Sequence, residues 1–158
     1  CQVEEADIIV LAKSTGVLEF TTGTYGQEIC VDSIIKGNEW IDENEACWIW
    51  RSYGMEVMDG QIVYRNVLNL MQDDGTYLVF LNSNQLNQYR TEKEFQTASE
   101  YFGYLPIEGA KVQPIKENQR NVLYKEWSEI PVFISSEKVA AAWNEIAEML
   151  LNKFEPDA

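Results

Sequence analysis

The chain has 158 residues, a net charge of −14 and no histidine. Its length suits one domain with a real core, and 46% hydrophobic against 24% charged residues argues against wholesale disorder. The charge repels phosphate backbones and so argues against nucleic acid, while the missing histidine removes the commonest general base, Ser-His and Cys-His nucleophile pairs and most zinc sites.

Residues 1–6, CQVEEA, form a short leader. Three cysteines, Cys1, Cys30 and Cys47, leave one over after any pairing. A chain that starts at cysteine without an initiator Met resembles a mature bacterial lipoprotein, whose signal peptide is cut just before a lipid-carrying cysteine. That reading makes Cys1 the lipid attachment point. It sets the chain on the extracytoplasmic cell surface, with the membrane surface as a partner. The alternative is a chain boundary that happens to fall there. Cys30 and Cys47 both sit in strand-like runs, where they either form a disulfide between adjacent strands or stay as two buried thiols.

Residues 8–11 are a continuous apolar run, and Val17, Leu18 and Phe20 extend it past Gly16. A long strand with a mid-strand glycine is how a barrel strand bends. The polar stretch 21–26 is the turn, and residues 29–34 alternate at period two before Lys36, Gly37 and Asn38 end the strand. After an acidic loop over 39–45 comes ACWIWRSY, 46–53. Alternation puts Trp48 and Trp50 on one face of that strand, with Cys47, Ile49 and Arg51 on the other. Residues 55–58 and 61–64 around Asp59-Gly60 read as a hairpin, because Asp-Gly supplies the positive φ of a tight turn. Residues 67–71 are open between a strand and a helical turn.

TYLVFLN, 76–82, is the clearest strand, aromatic, β-branched and flanked by turn residues. The polar stretch 82–90 is a surface excursion, and the T-x-x-E box from Thr91 to Glu94 predicts a short helix through about Glu100. Stretches 101–105 and 111–115 read as the last strand pieces, with fragments at 122–124 and 131–134. Residues 135–154 predict a helix capped by Ser135 or Ser136, with Val139, Trp143, Ile146, Leu150 and Phe154 on one face. The fold class expected is mostly β (α+β): an OB-like closed or partly open barrel of five to six strands over 7–134. The expectation includes an insertion with a short helix near 83–100, and a long C-terminal helix packed on the same domain.

Three phrases carry a resemblance: EADIIVLAK (5–13), a strand ending IIKG (34–37) and DGTYLVFLN (74–82). Together they resemble the netrin-like module, an OB-type barrel best known from the tissue inhibitors of metalloproteinases. Related-looking domains occur in Gram-positive secreted or lipid-anchored proteins. The resemblance implies the fold and an extracellular setting. It does not bring the inhibitory site. Those inhibitors begin C-x-C and chelate the target's zinc through the first cysteine, whereas this chain has Cys1 followed by Val3 and too few cysteines for the stapling disulfides.

Trp40, Trp48 and Trp50 fall within eleven residues. Aromatic faces on a barrel stack sugars, bases or peptide side chains; otherwise Trp48 and Trp50 fill the core and Trp40 covers its end. Asp42, Glu43 and Glu45, and the Asp73-Asp74 turn, offer oxygen ligands but not the spacing of a calcium loop, so no metal is expected. G-x-S-x-G, P-loop and G-x-G-x-x-G motifs are absent, so no catalytic residue or cofactor is assigned. The expected function is non-enzymatic binding of a protein or peptide partner. The alternatives are a carbohydrate or small-ligand binder using the tryptophans, and a hydrolase using two carboxylates in a concave site.

Overall fold

The computed structural model describes residues 2–20, 24–52, 55–58, 61–64, 71–72, 75–83, 92–99, 102–108 and 137–154. After a 3-10 turn at Gln2–Glu5, the strands are β1 (Ile8–Phe20), β2 (Thr24–Lys36), β3 (Ala46–Ser52), β4 (Met55–Met58), β5 (Gln61–Tyr64), β6 (Thr76–Asn82), β7 (Glu94–Thr97) and β8 (Tyr104–Pro106). The helix α1 spans Glu137–Lys153. The chain divides into two compact units. One is Cys1–Tyr53 with Met71–Ile107, and the other is Gly54–Leu70 with Glu108–Ala158.

The first unit is a barrel. Its strands run β1-β2-β3-β7-β6, and β6 pairs back onto β1, so five strands close on themselves. Every pairing is antiparallel except β3 with β7. This is an OB-like barrel, with β8 as an added strand on β6 beside β7. Closure removes the exposed edges that an open sheet would present.

Local chemistry explains most of this. β1 bends where the glycine predicts: Gly16 has φ 84°, and the β1–β2 register slips between Ser14 and Leu18. Ser14 and Thr15 hydroxyls accept the amide N–H groups of Gly16 and Val17, which satisfies the backbone freed by the slip. Residues 8–12 of β1 and 77–81 of β6 are buried on both faces, which is why both strands read as unbroken apolar runs. Asp7 fastens the start of β1 to the end of β6, accepting the amide and hydroxyl of Ser83 at 3.0 and 2.8 Å. These hydrogen bonds hold the Asp7 carboxyl below its ordinary range.

The helix expected from Thr91 to about Glu100 is not formed; residues 94–97 are β7. β7 fills the gap between β3 and β6, pairing Trp48 with Glu94 on one side and Leu81 with Thr97 on the other. A capping box offers about 1 kcal/mol locally, whereas an unfilled gap leaves two strand edges without partners. The segment expected as an insertion therefore holds a barrel strand, with Phe95 fully buried.

In the second unit, β4 and β5 pair antiparallel with Met58 opposite Gln61, the register of a two-residue Asp59-Gly60 connection. α1 buries Trp143 and Leu150 of the expected stripe but not the rest of it. Ala140, Trp143, Ala147 and Leu150 are buried, while Val139 is 47% exposed. The buried set keeps the 3-4-3 spacing of a helix face but uses two alanines, whose small side chains admit close approach. Among the described residues no helix is long and apolar enough to cross a membrane. The expected strand pieces at 111–115, 122–124 and 131–134, the Asp73-Asp74 turn and Cys1 lie outside the described residues.

Candidate binding face

β3 alternates as its sequence predicts. Cys47, Ile49 and Arg51 are buried and stand opposite Ile29, Gln27 and Tyr25 of β2, which are buried too. That face is the barrel interior, so Trp48 and Trp50 are on the outside and do not fill the barrel core. Their rings stack offset, with centroids 6.2 Å apart and planes at 26°. Trp50 lies flat on β2 at Gly26, where a Cβ would come within 2.9 Å of the indole. Only glycine lets the ring settle that close. The Trp48 indole N–H donates to the Glu92 carboxylate. Trp48 is only 6% exposed, while Trp50 is half-buried.

Directly opposite residues on paired strands share a face. One cross-strand row is therefore Glu19, Gly26, Trp50 and Gln96, and the next contains Glu28, Trp48 and Glu94. Glu19, Glu28 and Glu94 thus share the rows of the two indoles, and Glu92 accepts the Trp48 N–H. The negative π-faces and the carboxylates reinforce one another. Register, which sequence alone leaves open, brings the glutamates to the tryptophans.

Trp40 does not join this pair on the strands. It stands in the β2–β3 connection, 41% exposed, with its amide donating to the Gly37 carbonyl. The acidic loop beside it turns inward on itself. Glu45 accepts the Asp42 amide, and Lys93 sits 3.1 Å from Glu45 while donating to the Trp40 carbonyl at 2.8 Å. Among the described residues, no three His, Cys, Asp or Glu side chains gather to hold a metal.

Inside the barrel is a polar cluster that the sequence reading did not assemble. Arg51 is buried and donates to the Tyr104 hydroxyl at 3.2 Å, and Tyr104 packs edge-on against Tyr77 at 5.7 Å. The Tyr77 hydroxyl accepts the Gln72 amide at 2.9 Å. Burial, and then the neighbouring Tyr25, push the Tyr104 hydroxyl well above its ordinary range. The sequence put Arg51 on one face of β3 with Cys47 and Ile49 without saying that this face is inward, and its partner Tyr104 comes from β8, far along the chain.

Cys30 and Cys47 are free thiols, which corrects the disulfide alternative. Cys47 points inward opposite Ile29, whereas Cys30 shares the outer face with Lys13 and Ala46. A bridge cannot span opposite faces of one sheet. Burial, with Glu45 close by, pushes the Cys47 thiol up to about 12 from 9.0. In native protein, iodoacetamide followed by peptide mass spectrometry should label Cys30 first and Cys47 only after unfolding. The pH consequence has a definite sign. An unfolded chain ionises Cys47 near its ordinary 9.0, so this contribution to stability is intact below that pH and is lost as pH rises towards about 12. Urea midpoints measured at pH 8 and pH 10.5 should fall by less in Cys47→Ala than in the parent chain.

No protein-family model matches the chain, and neither a curated protein nor a solved structure matches it.

Proposed function

We propose that the chain is a binding module that recognises a protein or peptide partner through the outer face of β2, β3 and β7. The observation that carries this is the position of Trp48 and Trp50: two stacked indoles on the outward side of β3, with Trp50 half-buried and Trp48 buried beside it. Strands 2 and 3 are where OB barrels hold extended ligands, an analogy of fold that supports the choice of face. Trp is the residue most enriched at binding hot spots, because one side chain buries a large area for two rotatable bonds. The netrin-like resemblance of the first half favours an extracytoplasmic setting.

The same ring pair favours carbohydrate as a second reading, but with Trp48 covered only one indole is open to a sugar face. Against a hydrolase, the buried polar side chains among the described residues are Ser14, Gln27, Arg51 and Glu94, which supply a single carboxylate.

The test is selection of a displayed random-peptide library on the purified chain, with Trp50→Ala and a glycan array in parallel. Enriched peptides should bind Trp50→Ala at least about 10-fold more weakly, the scale of a truncated hot spot. The thermal midpoint of the variant, measured alongside, shows that the barrel remains folded. A library that yields no enriched peptide, or peptides indifferent to Trp50→Ala, overturns the reading. Glycan binding lost in Trp50→Ala transfers the face to the second reading.

A further inference from the structure

We infer that two copies of this chain pair antiparallel through α1, with Met149 against Met149 and Glu145 of each copy beside Lys153 of the other. The inference is independent of the binding face above and starts from the apolar arc of the helix. α1 buries Ala140, Trp143, Ala147 and Leu150. Along one border of that buried stripe run Val139, Ala142, Ile146 and Met149, again at the 3-4-3 spacing of a helix face. Ile146 is half-buried and Ala142 exposed, while Val139 and Met149 are 47% and 46% exposed. The two stripes together cover about half the circumference, against the roughly 100° that a helix packed on one core keeps apolar.

Charge complementarity selects a second copy as the cover. Glu145, Met149 and Lys153 stand at i, i+4 and i+8, so they form one row along the helix, and all three are exposed. The row runs acid, apolar, base. Laid antiparallel on itself it runs base, apolar, acid, so a two-fold axis at Met149 sets both charged ends against their opposites. A parallel pairing would set Glu145 on Glu145 and Lys153 on Lys153. Within one chain the two charges are about 12 Å apart along the helix, too far to pair with each other. In the single chain the Lys153 ammonium lies 5.6 Å from the Phe154 ring centroid, an exposed contact that a lysine exchanges at little cost. Glu137 and Glu148 fall on the opposite side of the helix from this stripe. Methionine on the axis suits a self-contact, because its flexible thioether fills irregular gaps. The net charge of −14 opposes association at long range, but salt screens it beyond about 8 Å at physiological strength.

The experiment is sedimentation equilibrium of the purified chain at physiological salt, from micromolar to near-millimolar concentration, with circular dichroism to show that each variant is folded. The parent should dimerise weakly, with a Kd on the order of 100 µM, as suits an interface of one short helix per copy. Met149→Glu should weaken the dimer at least about 10-fold, since it puts two carboxylates on the axis. Glu145→Lys and Lys153→Glu each set like charges at both ends and should each weaken it about 10-fold. Mixed in equal amounts, those two variants should associate with each other to within about 3-fold of the parent, because each end then carries one acid and one base. A chain that stays monomeric throughout leaves the stripe to a foreign partner and overturns the inference. A dimer indifferent to Met149→Glu forms elsewhere and overturns it too. A dimer that needs Met149 but is not restored in the mixture rules out the antiparallel register, and with it the ground for choosing a second copy.

Discussion

Gly37→Ala should lower the stability of the barrel by roughly 3 kcal/mol or more, from a strained φ and from overpacking together. Gly37 has φ 98°, in the left-handed region that side chains with a Cβ avoid. A Cβ there would stand 2.7 Å from the Asp7 carbonyl oxygen and 2.9 Å from the Ile8 Cα. Both neighbours are backbone, and both belong to the start of β1, which is paired with β2 and β6 and tied by Asp7 to Ser83. Neither can step aside without disturbing barrel closure. The Gly37 carbonyl also accepts the Trp40 amide, so moving the glycine disturbs the turn into the acidic loop. A urea titration followed by far-UV circular dichroism measures the loss. A cost under about 1 kcal/mol would show that the chain does not approach so closely there. Gly26→Ala makes a useful contrast. Its Cβ would meet only the Trp50 side chain, at 2.9 Å, so the indole can shift and the expected loss is smaller.

Gln27→Leu should cost about 2–4 kcal/mol, because it strands two buried backbone groups at once. Gln27 is buried inside the barrel. Its amide nitrogen donates to the Ser14 hydroxyl at 3.1 Å and to the Met71 carbonyl at 3.0 Å, and its oxygen accepts the Met71 amide at 3.2 Å. Leucine fills nearly the same volume, so packing changes little, but the Met71 N–H and C=O lose their partner in a place water does not reach. Ser14→Ala removes the hydroxyl that accepts both the Gly16 amide and the Gln27 side chain, and should cost about 1–2 kcal/mol. Met71 is where the chain re-enters the barrel unit after residues 54–70. Hydrogen exchange should therefore show the Met71 amide losing protection in Gln27→Leu while amides in the centre of β6 keep most of theirs. Unchanged protection at Met71 would mean that another group satisfies that backbone.

The candidate face was half legible from residues. Period two in ACWIWRS put both tryptophans on one side of β3, as found. The same alternation cannot say which side of a strand faces inward when both sides carry large apolar groups; Ile49 and Trp48 are equally good core candidates by type. The choice was made by β2, whose Gln27 and Ile29 side falls on Ile49 and Cys47. Gly26 could be read only as a turn glycine until register set it beneath Trp50. Glu92 and Glu94 belong to a segment whose local signal was helical, so their place beside the indoles had no signature at all.

What the sequence determined by itself were features with a short-range physical cause. Apolar runs made β1 and β6, the glycine at 16 made the bend, the two short runs on either side of Asp59-Gly60 paired as β4 and β5, and an apolar helical stripe made α1. Tertiary structure decided what depends on distant neighbours: barrel closure by β7, the inward face of β3, the Arg51–Tyr104 contact, the separate fates of Cys30 and Cys47, and which residues of α1 are buried. Each of these is fixed by pairing or burial between residues far apart in the chain. That pairing outweighs a local preference of about 1 kcal/mol whenever strand edges or polar groups would otherwise go unsatisfied.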